Sequence, residues 1–337
     1  MWVVGFPVLL VLLGVVGLLL VLGGGGIISV WIGAELVSLA VGMGVLALGA
    51  GGYCTKVVVL MKYLFLQMIM GALLLLLLLG VGEGGLGPEA LVSGILVVIL
   101  FKLGAFPGHL WVIDVYGGLS LWGGLVLGTV PKIGLLAALA LFGWGAGLTL
   151  EFMSVMSVVV GGILGIGTTD VRHMLACSGV VSVGWLLVGS SGGTGGLLWL
   201  FLMYVLVLLG VVVLLEVGVY IALKLSSSSF YGGTGVGFNS GIGVLLVLGL
   251  VGMPCSVMFI FKVCTLMIYG LGAFVGVVLL ASFFGAVMYL RFFTISWGSL
   301  GVVSPAWGSS RSLWGLLVLG SLAGFLVGLI LLFYLVF

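Results

Sequence analysis

Five ionisable side chains stand inside stretches that are otherwise apolar: Glu35 in WIGAELVSLA, Lys62 in MKYLFLQ, Lys102 in ILFKLGAFPGHLW, Lys132 in TVPKIGLL and Lys262 in FIFKVC. Amines and carboxylates share one chemistry that needs no cofactor, the reversible uptake of a proton. Burial disfavours the charged form of a lysine and a carboxylate nearby favours it, so a pair between Glu35 and a lysine would make proton occupancy depend on their separation. At the centre of a bilayer each such group costs about 2.5–3.5 kcal/mol. One or two of them could lie near an interface and snorkel. Snorkelling does not cover four lysines and a glutamate that make up nearly a third of all the charged residues, and ionisable groups at membrane depth mark ion or proton pathways. His109, seven residues after Lys102, either extends such a route or fills a structural hydrogen-bonding role.

The elements that must position these groups follow from composition. The 337 residues are 64% hydrophobic and 5% charged, with a mean hydropathy of +1.59, whereas a soluble domain is roughly a quarter charged. Nine Lys and Arg with seven Asp and Glu cannot build a water-facing surface over this length, so lipid is the solvent for most of the exterior. Disorder and nucleic-acid binding are excluded by the same numbers, since a net charge of +2 provides no basic face. Runs such as Leu73 to Leu79 and Val155 to Val160 lack the alternation of a transmembrane barrel, which leaves an all-α polytopic bundle. Glycine, at 63 copies, suits close helix approach in lipid.

Asn and Gln occur once each, at Asn239 and Gln67, while Gly, Val, Leu, Phe and Trp abound. A coding strand rich in G and T yields that skew and hints at a small organellar genome. The four cysteines, Cys54, Cys177, Cys255 and Cys264, have no metal-ligand spacing and read as small apolar residues. Met1 to Leu22 carries neither the basic n-region of a signal peptide nor an Arg-rich amphipathic pattern, so the first span is expected to stay in the mature protein.

With about 20 apolar residues per crossing, the sequence divides into about 11 transmembrane helices: 2–22, 26–48, 56–80, 89–106, 118–142, 149–167, 174–190, 197–223, 241–268, 271–294 and 312–336. Connections fall at Gly23 to Gly26, Glu83 to Glu89, Ser190 to Gly196, Ser226 to Gly235 and Trp297 to Ser310. None is long enough to be a domain, and a single transmembrane domain over 1–337 is expected. Lys56, Arg172, Lys224, Arg291 and Arg311 then share the side where the chain begins, while Glu83, Glu89 and Glu151 occupy the other. The positive-inside rule places the N-terminus in the compartment of synthesis.

Two spans are interrupted, one near 102–108 by Gly104, Pro107 and Gly108, the other near 252–262 by Gly252 and Pro254. A proline kink in a packed helix would explain either alone. Both breaks lie beside a buried lysine, the pattern of a transporter's ion site, where freed carbonyls and helix ends line a hydrated cavity. Glu216, two turns before Lys224, is interfacial, locally paired or part of a pathway. His173 beside Asp170 and Arg172 reads as a loop histidine, and Asp114 as part of the connection after the first break. Trp2, Trp111, Trp297, Trp307 and Trp314 lie near predicted helix ends and fit an interface belt.

WIGAELVSLA, MKYLFLQ, FKLGAFPGHLW, TVPKIGLL, DVRHMLACSGVVSVGWLLV from Asp170, and GMPCSVMFIFK ending at Lys262 resemble, in order and approximate spacing, the mitochondrial NADH dehydrogenase subunit 2 family, antiporter-like membrane subunits of respiratory complex I. The resemblance runs over about residues 28–295 and ends with MYLRFF. KLGAFPGHLW with the TVPK lysine thirty residues on is its most specific part. It implies an antiporter-like fold with two interrupted helices and a proton-translocating module without a redox centre. Glu35 and Lys102 match the family's switching pair, Lys132 the lysine of the central polar axis, and Lys262 the terminal site on the second broken helix. Lys62 matches a polar residue of the third helix. NADH, FMN, iron–sulfur clusters and ubiquinone would belong to the whole complex, with none bound by this chain.

The implied partners are the other membrane-arm subunits, neighbouring antiporter-like subunits among them, and lipids, with no nucleic acid. The implied location is the mitochondrial inner membrane with the N-terminus in the matrix. Where the family usually reads GLPP, this chain has Gly252, Met253, Pro254, Cys255, and its usual serine pair is Ser178, Gly179. The last forty residues carry no matching motif. A stand-alone cation/proton antiporter and a structural membrane spacer are the alternative functions.

Overall fold

The computed structural model describes residues 2–23, 27–48, 53–83, 88–142, 147–168, 170–190, 193–227, 257–269, 277–278 and 281–289. Ten helices are defined in them: α1 (Trp2–Gly23), α2 (Ile27–Leu48), α3 (Tyr53–Glu83), α4 (Pro88–Leu103), α5 (Leu110–Gly117), α6 (Leu121–Phe142), α7 (Gly147–Gly167), α8 (Val171–Gly189), α9 (Gly193–Ser227) and α10 (Val257–Tyr269), with 281–289 also helical. Five of the described helices are long and apolar enough to cross a membrane, and the segments Val8–Gly23, Ile28–Gly44 and Ala90–Leu103 are shorter apolar helices. The all-α polytopic reading therefore holds. The expected second break at Gly252 and Pro254, the Arg291 and Arg311 charges, the span 312–336 and Trp297, Trp307 and Trp314 lie outside the described residues.

Glycines set the helix contacts. A Cβ on Gly17 would come 2.9 Å from the Gly33 carbonyl oxygen, and one on Gly33 would come 2.6 Å from that of Gly17, so α1 and α2 meet backbone to backbone. A Cβ on Gly161 of α7 would come 3.0 Å from the Val181 side chain and 3.2 Å from the Cys177 carbonyl oxygen of α8, and Gly162 lies against Phe284 of the 281–289 helix. Around these seams α8 forms the centre: every residue from Met174 to Gly189 is buried, and its partners include α5, α6, α7, α9 and α10. Leu and Val dominate the outer faces of α1, α3 and α9, as at Val11, Leu19, Leu76 and Leu206, the inside-out arrangement expected of a helix bundle in lipid.

One element differs from expectation. Residues 107–117 read as a connection, but Leu110–Gly117 forms the short helix α5, which buries Val112, Val115 and Tyr116 against α3 and α8. The first interrupted span is thus α4, a six-residue turn and α5. Gly104 begins the turn with φ of +75°, a conformation open to glycine without the steric cost of a Cβ, and its NH donates to the Phe101 carbonyl at 3.1 Å.

Candidate functional site

Lys102 is the penultimate residue of α4, one residue short of where the helix stops. Its Nζ donates to Glu35 Oε1 of α2, and the two form a salt bridge with side-chain exposures of 1% and 15%. Burial of this depth excludes most of the solvent that screens surface pairs. Two further features fix the carboxylate. Ser38, a turn later in α2, donates to the Glu35 backbone carbonyl at 2.8 Å and approaches Oε2 at 3.4 Å. Gly71 of α3 lies directly beneath, and a Cβ there would overlap Oε1. The Trp31 indole donates to the Gly71 carbonyl at 2.8 Å, pinning α3 to α2 at the same level. Tyr63 also serves this region: it is fully buried, its ring meets Trp111 at 5.8 Å, and its hydroxyl has no hydrogen-bond partner.

The break beside Lys102 is stitched by Trp111, whose indole donates to the Phe101 carbonyl at 3.0 Å. Trp111 was expected in an interface belt. The structure places it instead at the carbonyl that the interrupted helix leaves open, which its N–H can satisfy. His109 is buried and stacks on Phe106 with ring centroids 6.0 Å apart. No ion pair or hydrogen bond joins it to Lys102.

Lys132 is buried at 7% exposure on α6, immediately after Pro131. Proline supplies no N–H to the carbonyl four residues back and so opens the helix ladder next to the lysine. The Lys132 Nζ donates to the Tyr204 hydroxyl of α9 at 3.5 Å and lies 5.1 Å from that ring's centroid, within range of a cation–π attraction. Gly128 and Gly179 face the same hydroxyl, each with its Cβ position 3.7 Å from it.

Lys262 lies within α10, half-buried, with its Nζ 5.8 Å from the Trp185 ring centroid. It lines a cavity of about 20 Å³ with Ser182, Trp185, Ser282 and Tyr289, room for about one water molecule. Ser182 donates to the Ser178 carbonyl at 2.8 Å.

Lys62 departs from the expected buried position. Its Nζ bonds Asp114 of α5 at 3.0 Å, and the two side chains are 52% and 61% exposed. Lys62 is therefore an exposed, paired lysine in this chain and not a buried one. His173 likewise lies not in a loop but in the first turn of α8, 3.4 Å from Asp170. Glu216 is half-buried on α9.

The structure thus brings Glu35 and Lys102 into contact and surrounds Lys132 and Lys262 with aromatic rings and hydroxyls. Tyr63, Tyr204 and Tyr289 escaped the sequence reading. One signal for Tyr204 was present: a lone hydroxyl in the middle of LWLFLMYVLVLL, far from the interfaces where tyrosine gathers. Among the described residues no three His, Cys, Asp or Glu side chains converge as metal ligands would.

Residues 57–289 match a family model described as NADH:quinone oxidoreductase/Mrp antiporter, transmembrane. NADH-ubiquinone oxidoreductase chain 2 of Branchiostoma lanceolatum is 32% identical over 255 residues, covering 69% of this chain and 70% of that one. NADH-quinone oxidoreductase subunit N of Azoarcus sp. (strain BH72) is 37% identical over 103 residues, 28% of this chain and only 21% of the bacterial protein. A chain of respiratory complex I from Thermus thermophilus with bound aureothin superposes with a TM-score of 0.70 at 22% identity, covering 96% of this chain and 78% of its own length. A chain of the Mrp complex from Dietzia sp. DQ12-45-1b gives 0.63 at 17% identity, with 85% and 59% covered. Both structural likenesses concern the fold.

Proposed function

The chain belongs to the NADH:quinone oxidoreductase/Mrp antiporter transmembrane family, and we propose that within it the protein is a proton-translocating membrane subunit of an NADH:ubiquinone oxidoreductase. Glu35, Lys102, Lys132 and Lys262 carry the proton, and electron transfer from NADH to ubiquinone takes place in other subunits that hold the redox groups. The chain acts as one transmembrane module beside neighbouring antiporter-like subunits of the membrane arm. The proposed location is the mitochondrial inner membrane with the N-terminus facing the matrix; likeness to animal NADH-ubiquinone oxidoreductase chain 2 proteins supports the membrane, and the loop charges support the orientation.

The observation that carries this reading is the buried Glu35–Lys102 pair at the end of an interrupted helix. While the carboxylate is in contact, the ammonium form of Lys102 is favoured; when the two separate, the lysine loses that support and its proton becomes transferable. The turn at Gly104 to His109 supplies the bendable point on which such a separation can occur. Lys132, already flanked by a hydroxyl, is the acceptor further along the bundle. Replacing Lys102 by Met should lower the number of protons moved per NADH oxidised in reconstituted vesicles. Unchanged stoichiometry would sink the role.

The fold likeness to an Mrp complex chain keeps a second reading in view, a cation/proton antiporter independent of NADH. Comigration with a large assembly that oxidises NADH supports the first reading, and Na⁺/H⁺ exchange by the chain alone supports the second.

A further inference from the structure

The cavity beside Lys262 is electrostatically one-sided. Its volume of about 20 Å³ is somewhat above the ~10–15 Å³ that one water requires, so it admits a single small guest. Val181, Met258 and Phe261 give it apolar walls, all three buried. Its polar groups are Lys262, Trp185, Tyr289, Ser282 and Ser182, and the described lining includes no Asp or Glu. The ammonium and the indole N–H can only donate, and the hydroxyls of Tyr289 and Ser282 are able to. Ser182 gives its hydrogen to the Ser178 carbonyl at 2.8 Å and so contributes no donor. The Trp185 indole is the most informative of these groups. Trp185 is 1% exposed and its Nε1 is buried with no hydrogen-bond partner, whereas a polar group at that depth normally has one.

Such a wall selects by charge and by size. A water brings hydrogens of its own, which a wall of donors accepts poorly. A monovalent anion accepts from every donor at once, and between apolar walls its attraction to an ammonium is far stronger than in water. We propose that this cavity is a binding site for one small inorganic anion of the chloride class, held by the Lys262 ammonium, the Trp185 N–H and the Tyr289 hydroxyl. Sulfate, phosphate and carboxylates are too large for the space. The site stands on the cavity and does not depend on the proton-carrying function given above. The anion gives Lys262 a negative neighbour, as Glu35 gives Lys102 one, but supplied by the solution instead of by the chain.

The test measures equilibrium binding of radioactive chloride, in gluconate buffer, to the purified membrane assembly that contains this subunit, for the wild type, Lys262→Met, Trp185→Phe and Gly285→Ala. Trp185→Phe keeps an aromatic ring and removes the N–H. Gly285→Ala changes no polar group: its Cβ would meet Val181 Cγ1 at 3.9 Å, an ordinary contact, and would take space from the cavity that Gly285 lines. Lys262→Met should lose one equivalent of saturable binding. Trp185→Phe should weaken that equivalent roughly tenfold or more, the contribution of one hydrogen bond to an ion, and Gly285→Ala should weaken it as well. Bromide should compete and sulfate should not. Wild-type affinity in both Trp185→Phe and Gly285→Ala would overturn the site even where Lys262→Met lost an equivalent, because the anion would then lie outside this cavity. An absence of saturable binding in the wild type would overturn it too, leaving water as the guest, and so would competition by sulfate equal to that by bromide, which marks an open surface site. Should Lys262→Met fail to assemble, the other two variants decide.

Discussion

Lys102 and Lys262 are both lysines on helices of the same bundle, yet their surroundings are unlike. Lys102 meets a carboxylate and is sealed from solvent. Lys262 meets the face of Trp185 and a small polar cavity. A carboxylate holds an ammonium strongly, and its removal leaves an uncompensated charge; an aromatic face attracts it by only about 0.5–2 kcal/mol. On the proposed function, the two lysines hold their protons in different settings, a carboxylate at Lys102 and an aromatic face with a small cavity at Lys262.

Breaking the strong end should have the largest effect. Glu35→Ala leaves Lys102 buried without its partner, at a cost of about 3–5 kcal/mol, seen as loss of the assembled subunit on native gels or a lowered unfolding temperature. Adding Lys102→Met to that variant should restore much of the stability without restoring proton movement. If the double variant is no more stable than the single one, the pair does not dominate this region. At the weak end, Trp185→Phe keeps an aromatic ring in this fully buried position and gives up part of a charge contact worth about 0.5–2 kcal/mol, so its main signature should be slower proton transfer with assembly disturbed less than in Glu35→Ala. An assembly defect as severe as that of Glu35→Ala would erase the contrast. Smallest of all, Lys62→Met removes an exposed pair worth at most about 1 kcal/mol. A proton yield that dropped with Lys62→Met as far as with Lys102→Met would return Lys62 to the buried axis.

The features read correctly from sequence share a physical cause that acts within a few residues. Charge inside an apolar run is conspicuous wherever it ends up, so Glu35, Lys102 and Lys132 stood out before any packing was known. Gly104, Pro107 and Gly108 stop a helix locally, and the break is where they put it. What escaped detection depends on which helix lies opposite. Lys62 has the same kind of flanking sequence as Lys132, and only the placement of α5 with Asp114 separates an exposed pair from a buried lysine. The α5 segment itself, eight residues long, is too short to show a hydrophobic period against the glycines on either side. Trp111 obeys the rule that places tryptophan near helix ends, but the end in question is the internal one at the break. Tyr204 and Tyr289 carry no formal charge, and a hydroxyl in a hydrophobic stretch is common enough to pass without notice until Lys132 and Lys262 are seen beside them.

Gly71 makes the acid's position a property of a residue that has no side chain. Because Glu35 Oε1 occupies the space where a Cβ on Gly71 would go, the chain encodes the location of its key negative charge partly as missing volume on a different helix. A glycine codon lies one base from alanine and one from valine, so a single nucleotide change at position 71, far along the chain from Glu35 and with no alteration of any ionisable group, would push the carboxylate away from Lys102. Inherited variation at position 71 should accordingly be scored as variation at position 35.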